Sequence, residues 1–98
     1  MEPLVANVMQ PIQSVAIIGA GNMGSGIAQK TAQEEFDVQM VDREEQWVER
    51  GQGIIADFLD EAIARRIFSE QQVADIKGRI KGVAGVENTA SDTDLVIE

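Results

Sequence analysis

A glycine-rich turn between an apolar run and a helical segment most constrains what this chain can fold into. Residues 15–26 read VAIIGAGNMGSG, so four apolar residues precede glycines in the order G-x-G-x-x-G. The β-branched, apolar run at residues 15–18 predicts a first strand at residues 14–18, of the kind that is buried on both faces of a parallel sheet. Apolar residues then recur at helical spacing, which predicts a helix from about Asn22 to Glu34. Strand, tight turn and helix in this order begin a βαβ unit.

The segment after this helix predicts a second strand that ends on an acid. Residues 37–42 read DVQMVD, which alternates in polarity and places Asp42 at the carboxyl end of the strand. Asp42 follows Gly19 by 23 residues. Dinucleotide-binding units carry a ribose-binding acid about 20 residues after the turn. A simple strand-end cap is the alternative interpretation of Asp42.

Each glycine of the turn has a physical role in binding a dinucleotide. Gly19 allows the tight exit from the strand, Gly21 allows the backbone to approach a pyrophosphate, and Gly24 allows the helix to pack against the sheet. The helix N-terminus presents free N–H groups and a partial positive charge to phosphates. An acidic domain can therefore bind an anionic dinucleotide here, although a plain tight turn in an α/β domain is the alternative.

The acid at position 42 favours NAD over NADP as the cofactor. Its carboxylate accepts hydrogen bonds from the adenosine ribose hydroxyls and would repel a 2′-phosphate. Arg43 could stack on adenine or attract that phosphate. Because the carboxylate of Asp42 occupies the position of the 2′-phosphate, we predict NAD.

The middle of the chain predicts a long amphipathic helix at residues 44–67. Its apolar stripe consists of Val48, Gly51, Ile55, Phe58 and Ala62, widened by Trp47, Ile54, Leu59 and Ile63. We expect Trp47 and Phe58 to lie in the core. Gly51 and Gly53 should each cost this helix about 1 kcal/mol against alanine, so packing of the stripe must hold its first half.

The last third of the chain predicts a shorter helix and two more strands. Residues 69–72 read SEQQ, the form of a capping box, and the helix they begin ends at residues 77–78. A third strand is expected at residues 79–83 and a fourth at residues 94–98. Polar residues 87–93 predict a loop or a single helical turn between them.

Composition limits the domain organisation and the partners. The chain of 98 residues makes one domain at most, and we interpret residues 1–13 as a tail or linker and residues 14–98 as the domain. A net charge of -9 argues against nucleic acid or an anionic membrane as partner. The absence of cysteine and histidine argues against a metal site and fits a reducing compartment. With no run long enough for a signal core or a membrane span, we expect a cytoplasmic protein.

Beyond these patterns, the sequence resembles the opening of 3-hydroxyacyl-CoA dehydrogenases of fatty-acid β-oxidation. The likeness runs from about residue 13 to residue 98 and rests on four segments in order: residues 15–29, the acid-ended strand at 38–42, the long helix with its follow-on at 69–77, and DLVIE at 94–98. The Met-Gly pair of the turn is shared with 6-phosphogluconate dehydrogenase-like enzymes. The helical segment between strands two and three is therefore the feature that distinguishes the two families.

The resemblance implies a fold, an activity and a set of cofactor-binding residues. The fold is an α/β, Rossmann-like doubly wound parallel sheet, truncated after about four strands in the order 3-2-1-4. The activity is NAD-dependent oxidation of 3-hydroxyacyl-CoA to 3-ketoacyl-CoA. By this likeness Asp42 holds the adenosine ribose with Arg43 nearby, and the pyrophosphate is held by the turn residues Gly19, Ala20, Gly21, Asn22, Met23 and Gly24.

The resemblance also implies that chemical groups are missing. The family's catalytic base is a histidine paired with a glutamate, assisted by a serine and an asparagine later in the chain, and a helical domain forms the acyl-CoA cleft. This chain contains no histidine. We therefore expect part of a longer dehydrogenase, such as one fused to an enoyl-CoA hydratase, which binds acyl-CoA only through its C-terminal part and does not catalyse alone. The exposed edge of the fourth strand predicts self-association.

Two other interpretations stay open. The chain could be the NAD(P)-binding part of another β-hydroxyacid or imine dehydrogenase that shares the Met-Gly turn, which a preference for NADP would favour. It could also be a non-enzymatic nucleotide-binding module, in which case it would bind nucleotide without turnover of acyl-CoA in any assembly.

Overall fold

Four strands and three helices form along residues 12–98, the part of the chain that the computed structural model describes. The elements are β1 (Ser14–Ile18), α1 (Asn22–Gln33), β2 (Asp37–Asp42), α2 (Glu45–Ala64), α3 (Glu70–Gly78), β3 (Ile80–Ala84), a 3-10 turn (Val86–Asn88) and β4 (Leu95–Ile97). The strands are parallel in the order β3-β2-β1-β4. This order confirms the predicted Rossmann-like topology. Residues 1–11 of the predicted tail lie outside the described residues, and the extent of the domain stays a prediction.

The hydrophobic core lies between one face of the sheet and the three helices. The crossovers from β1 to β2 and from β2 to β3 place α1, α2 and α3 on the same face, since residues of all three helices join one core cluster with the sheet. Alternate residues of the two central strands supply the sheet side of this core, and each helix adds two buried residues: Val15, Ile17, Val38 and Met40 with Ala28, Ala32, Ile55, Leu59, Val73 and Ile76. Because β1 and β2 are parallel, the turn after β1 and the carboxyl end of β2 lie at the same end of the sheet.

Gln39 holds the connection between β3 and β4, which crosses from one edge of the sheet to the other. Its Nε2 donates a hydrogen bond to Thr93 Oγ1 at 2.8 Å, and its Oε1 accepts one from the N–H of Ala90 at 2.8 Å. Its register partner on β1, Ala16, is fully buried. The side-chain amide of Gln39 thus guides the chain back to β1, where β4 pairs.

Asp94 fixes the start of β4 to the start of β1. Its Oδ2 accepts hydrogen bonds from the backbone N–H groups of Gln13 at 2.9 Å and Ser14 at 3.0 Å, and a longer one from Ser14 Oγ at 3.3 Å. The two backbone donors hold the pKa of the Asp94 carboxyl below its ordinary value of 3.8, although burial opposes them. The charged form of Asp94 therefore stabilises the strand pair.

Replacing Asp94 by asparagine is expected to lower the free energy of unfolding at neutral pH. A carboxyl whose pKa is lowered by folding stabilises fully above its unfolded pKa, here near 3.8, and loses this effect as the pH falls through its folded pKa. The stability difference between the two proteins should therefore shrink below pH 3.8. Urea unfolding at a series of pH values measures it, with Asp92→Asn as a control that removes a nearby charge. A difference independent of pH would contradict this role of Asp94.

The ends of the helices follow local capping rules. The predicted capping box of α3 is confirmed, since the N–H of Gln72 donates to Ser69 Oγ at 3.1 Å and the N–H of Ser69 donates to Gln72 Oε1 at 2.7 Å. After α2, Arg66 adopts a left-handed backbone with φ +61°, and the next N–H donates to Ala62 O at 2.8 Å.

None of the helices in residues 12–98 has the length and apolar character that crossing a membrane requires.

The buried stripe of α2 differs from the predicted one. Its buried residues are Val48, Gly51, Ile55, Leu59 and Ala62. Phe58 is 56% exposed and Trp47 is 40% exposed, so the prediction that both lie in the core was wrong. With 3.6 residues per turn, a step of four from Ile55 keeps Leu59 on the inner face and turns Phe58 outward. Trp47 lies in the first turn of α2, close to the end of β2.

Candidate cofactor-binding site

Two positions of the turn between β1 and α1 require glycine, one for its backbone angle and one for a close contact. Gly19 leaves the strand with φ +114°, and its N–H donates to Val41 O at 2.6 Å. A β carbon added to Gly24 would overlap the backbone carbonyl group of Gly19 and lie 2.7 Å from its carbon atom. The first turn of α1 therefore packs directly on the backbone that leaves β1.

Gly21 differs from these two glycines because neither the backbone angles nor the packing at this position requires a glycine. It is exposed and has extended backbone angles, φ -74° and ψ -166°, which any residue can adopt. A β carbon added there would meet no atom within 4 Å. Gly21 thus leaves open a surface where a ligand can touch the backbone, as a pyrophosphate-binding position must.

The N-terminus of α1 is open to an anion. Its first intrahelical bond joins the N–H of Ser25 to Gly21 O at 2.8 Å, no side chain caps it, and its first turn contains no acid. In contrast, Ser69 caps α3, and Glu45 lies in the first turn of α2. The free N–H groups and the positive end of the helix dipole of α1 fit a phosphate group.

Asp42 joins the end of β2 to the glycine turn. Its Oδ2 accepts a hydrogen bond from the N–H of Ala20 at 3.0 Å, and its Oδ1 accepts one from the N–H of Arg43 at 2.7 Å. Each carboxylate oxygen can accept a further hydrogen bond. The two interpretations of Asp42, strand-end partner and acceptor for ribose hydroxyls, are therefore compatible.

A cleft of about 150 Å³ brings half of the predicted site residues together. Its lining residues are Ala20, Gly21, Asn22, Asp42, Trp47 and Arg50. Gly19 and Gly24 support the turn from within, and Met23 is 80% exposed on the first turn of α1. Arg43 is exposed and does not line the cleft, although its N–H holds the Asp42 carboxylate. Trp47 and Arg50 were not predicted at this site.

Gly51 explains why α2 reaches the cleft. A β carbon added to Gly51 would lie 2.6 Å from the carbonyl oxygen of Ala20, 2.9 Å from its Cβ and 2.9 Å from Met40 Cε. The backbone of α2 therefore lies against the glycine turn. Gly51 was predicted to lie on the apolar stripe and to cost the helix stability, but its contact with the glycine turn was not predicted. A glycine on the buried stripe was the available signal of this close approach.

Replacing Gly51 by alanine is expected to destabilise the protein by about 2 kcal/mol, because a close contact between α2 and the turn becomes overpacked. Gly53→Ala is the matched control, since a β carbon there meets nothing within 4 Å. That change should stabilise the helix by about 1 kcal/mol. Urea unfolding of both variants measures the contrast, and equal stabilisation by both would contradict the close approach at Gly51.

The residues of the cleft lie in a segment that matches one protein family. Residues 14–98 match the family model for the 3-hydroxyacyl-CoA dehydrogenase, NAD binding domain. A probable 3-hydroxyacyl-CoA dehydrogenase of Caenorhabditis elegans is 34% identical over 94 residues, which cover 92% of this chain and 32% of that protein. A probable 3-hydroxybutyryl-CoA dehydrogenase of Deinococcus radiodurans is 37% identical over 82 residues, covering 84% of this chain and 29% of that protein.

A solved structure has the same fold. The crystal structure of (S)-3-hydroxybutyryl-CoA dehydrogenase PaaH1 from Ralstonia eutropha matches with a TM-score of 0.82 and 37% identity, over 88% of this chain and 30% of that one. The chain spans about a third of the length of these two relatives. Since its sheet order, its glycine turn and the match over residues 14–98 agree, the chain belongs to the family of NAD-binding domains of 3-hydroxyacyl-CoA dehydrogenases.

Proposed function

We propose that this chain is the NAD-binding part of a cytoplasmic 3-hydroxyacyl-CoA dehydrogenase of fatty-acid β-oxidation, which oxidises 3-hydroxyacyl-CoA to 3-ketoacyl-CoA. The observation that carries the proposal is the uncapped N-terminus of α1 at Gly21, which opens into the same cleft as Asp42. When bound, NAD would supply the acceptor for the hydride of the 3-hydroxyl carbon. The family resemblance assigns proton transfer to a histidine, which this sequence does not contain, and acyl-CoA binding to a helical domain. We therefore assign both to another part of the enzyme.

The predicted residues divide into two roles in this proposal. The turn residues hold the pyrophosphate through their backbone, with Gly21 giving the closest approach and α1 directing N–H groups toward the phosphates. These turn residues are Gly19, Ala20, Gly21, Asn22, Met23 and Gly24. Asp42 binds the adenosine ribose with the acceptor capacity that its bonds to Ala20 and Arg43 leave. Arg43 contributes by holding the carboxylate through its N–H.

Binding of ADP-ribose and NAD to the chain tests the proposal by isothermal titration calorimetry. We expect both to bind and Asp42→Ala to weaken binding by at least about tenfold, because hydrogen bonds to a charged acceptor are lost. Asp37→Ala, at the other end of β2, is the control that removes one acid from the same strand. Because Asp42 also bonds the turn, unfolding curves are recorded for each variant, and affinities are compared below the unfolding transition.

The outcome also separates the competing functions. Failure of the folded chain to bind either ligand would contradict the proposal. Tighter binding of NADP than of NAD would favour another dehydrogenase with the same turn, since the carboxylate at position 42 should repel a 2′-phosphate.

We also propose that the free edge of β4 mediates self-association. Among residues 12–98, β4 pairs only with β1, and its Leu95 and Val96 are 41% and 52% exposed. An unpaired edge with apolar side chains is a template for pairing with a second strand. Sedimentation equilibrium should detect a dimer that Val96→Lys weakens, and a monomer at all concentrations would contradict this proposal.

A further inference from the structure

We propose that Arg50, with Trp47 one turn before it on α2, forms the second wall of the dinucleotide cleft, and that the guanidinium of Arg50 binds the diphosphate. The inference rests on the proposed NAD-binding function and adds a cationic residue from outside the glycine turn. Neither residue belongs to the G-x-G-x-x-G motif or to the acid-ended strand.

The packing of α2 holds both residues in place. Gly51 lets the backbone of α2 lie against Ala20, where a β carbon would be 2.6 Å from the carbonyl oxygen. Arg50 immediately precedes this contact, and Trp47 precedes it by about one helical turn. Both side chains line the same cleft as Gly21 and Asn22. Their position at the cleft is therefore fixed by core packing and not by a mobile loop.

The charges around the cleft give Arg50 a specific role. The other charged residue that lines the cleft is the acid Asp42, in a chain of net charge -9. Three ion pairs occur within residues 12–98, and none of them involves Arg50: Lys30–Glu34, Glu61–Arg65 and Asp60–Lys77. Within residues 12–98 the guanidinium of Arg50 forms no ion pair with a carboxylate. Beside an acceptor-only acid and an open helix N-terminus it suits a diphosphate, because its donors match phosphate oxygens in pairs.

Trp47 gives the same wall an apolar surface. Its side chain is 40% exposed although the ring is large and apolar, and it lines the cleft beside the predicted ribose acceptor Asp42. Aromatic rings of this kind bind the faces of nucleotide bases and sugars. Because Trp47 is the single tryptophan of the chain, its fluorescence reports directly on this wall.

Titration of the whole chain with ADP-ribose tests the inference at two or more salt concentrations. Arg50→Gln should weaken binding about tenfold, the effect of losing a charge-assisted hydrogen bond, and should reduce the dependence of affinity on salt. Arg50→Lys should recover part of the affinity because it keeps the charge. Arg65→Gln, at the C-cap of the same helix and paired with Glu61, is the matched control and should leave affinity unchanged. The emission of Trp47 should change on saturation with ADP-ribose.

The outcomes distinguish this inference from the proposed function. If the chain binds ADP-ribose and Asp42→Ala weakens binding, but Arg50→Gln changes neither affinity nor salt dependence, the role of Arg50 is overturned and NAD binding stands. NADP is titrated in parallel, and a loss of affinity in Arg50→Gln that is confined to NADP would assign the guanidinium to a 2′-phosphate and overturn the diphosphate contact. Unchanged emission of Trp47 at saturation would overturn its part in the wall. Absence of ADP-ribose binding by the unmodified chain would contradict the proposed function itself.

Discussion

Replacing Gly24 by alanine should reduce the free energy of unfolding by about 3 kcal/mol or more, a large share of the about 5–15 kcal/mol typical of a small domain. The added β carbon would overlap the carbonyl group of Gly19 and lie 2.7 Å from its carbon atom. Because the opposing atoms belong to the backbone, they cannot move aside by changing a rotamer. Either α1 shifts away from β1 or the turn opens, and each strains the bond from the Gly19 N–H to Val41 O. Urea unfolding measures the loss.

Gly26→Ala is the control that makes this prediction specific. Gly26 lies on the same helix two residues later, and a β carbon there meets no atom within 4 Å. Since alanine is the better helix former by about 1 kcal/mol, this variant should be more stable than the unmodified protein. Stabilisation by Gly24→Ala as well would show that the first turn of α1 does not pack tightly on the turn after β1.

Local sequence signals predicted most of the fold. The residues predicted for β1 and β2, 14–18 and 37–42, are the observed ones, because apolar runs between turn residues mark buried strands clearly. The third strand is observed one residue later than predicted. Arg79, its predicted first residue, instead donates from its N–H to Ile76 O at 3.1 Å and from its guanidinium to Ala32 O at 2.8 Å. Such a tertiary contact at a helix end leaves no local pattern.

The site was predicted less completely because its second wall depends on packing between elements. Periodicity gives the average direction of the buried side of a helix, so it placed Trp47 and Phe58 inside although both are exposed. No sequence pattern distinguishes one exposed arginine on a helix from another. Arg50 is recognised as a cleft residue only from the structure, in which Gly51 lies against Ala20. The glycine turn is contiguous in the sequence and Asp42 follows it at a characteristic offset, so the sequence alone identified them as candidates.

Replacing Gly21 by valine should abolish cofactor binding while preserving the fold. The backbone of Gly21 is extended, at φ -74° and ψ -166°, and a β carbon there meets no protein atom within 4 Å. The valine side chain would instead fill the space where the proposed pyrophosphate approaches the N–H groups of α1. We expect the affinity for ADP-ribose to fall by at least about 100-fold, or about 3 kcal/mol, in calorimetric titration.

The contrast between Gly21→Val and Gly24→Ala separates binding from folding within one motif. Gly21→Val should unfold at nearly the urea concentration of the unmodified protein, whereas Gly24→Ala should unfold at a much lower one. Asn22→Ala, at the next position of the cleft, is the control for side-chain change without added bulk on the backbone. If Gly21→Val bound ADP-ribose with unchanged affinity, the pyrophosphate could not lie against this turn, and the assignment of the whole motif to the cofactor would fail.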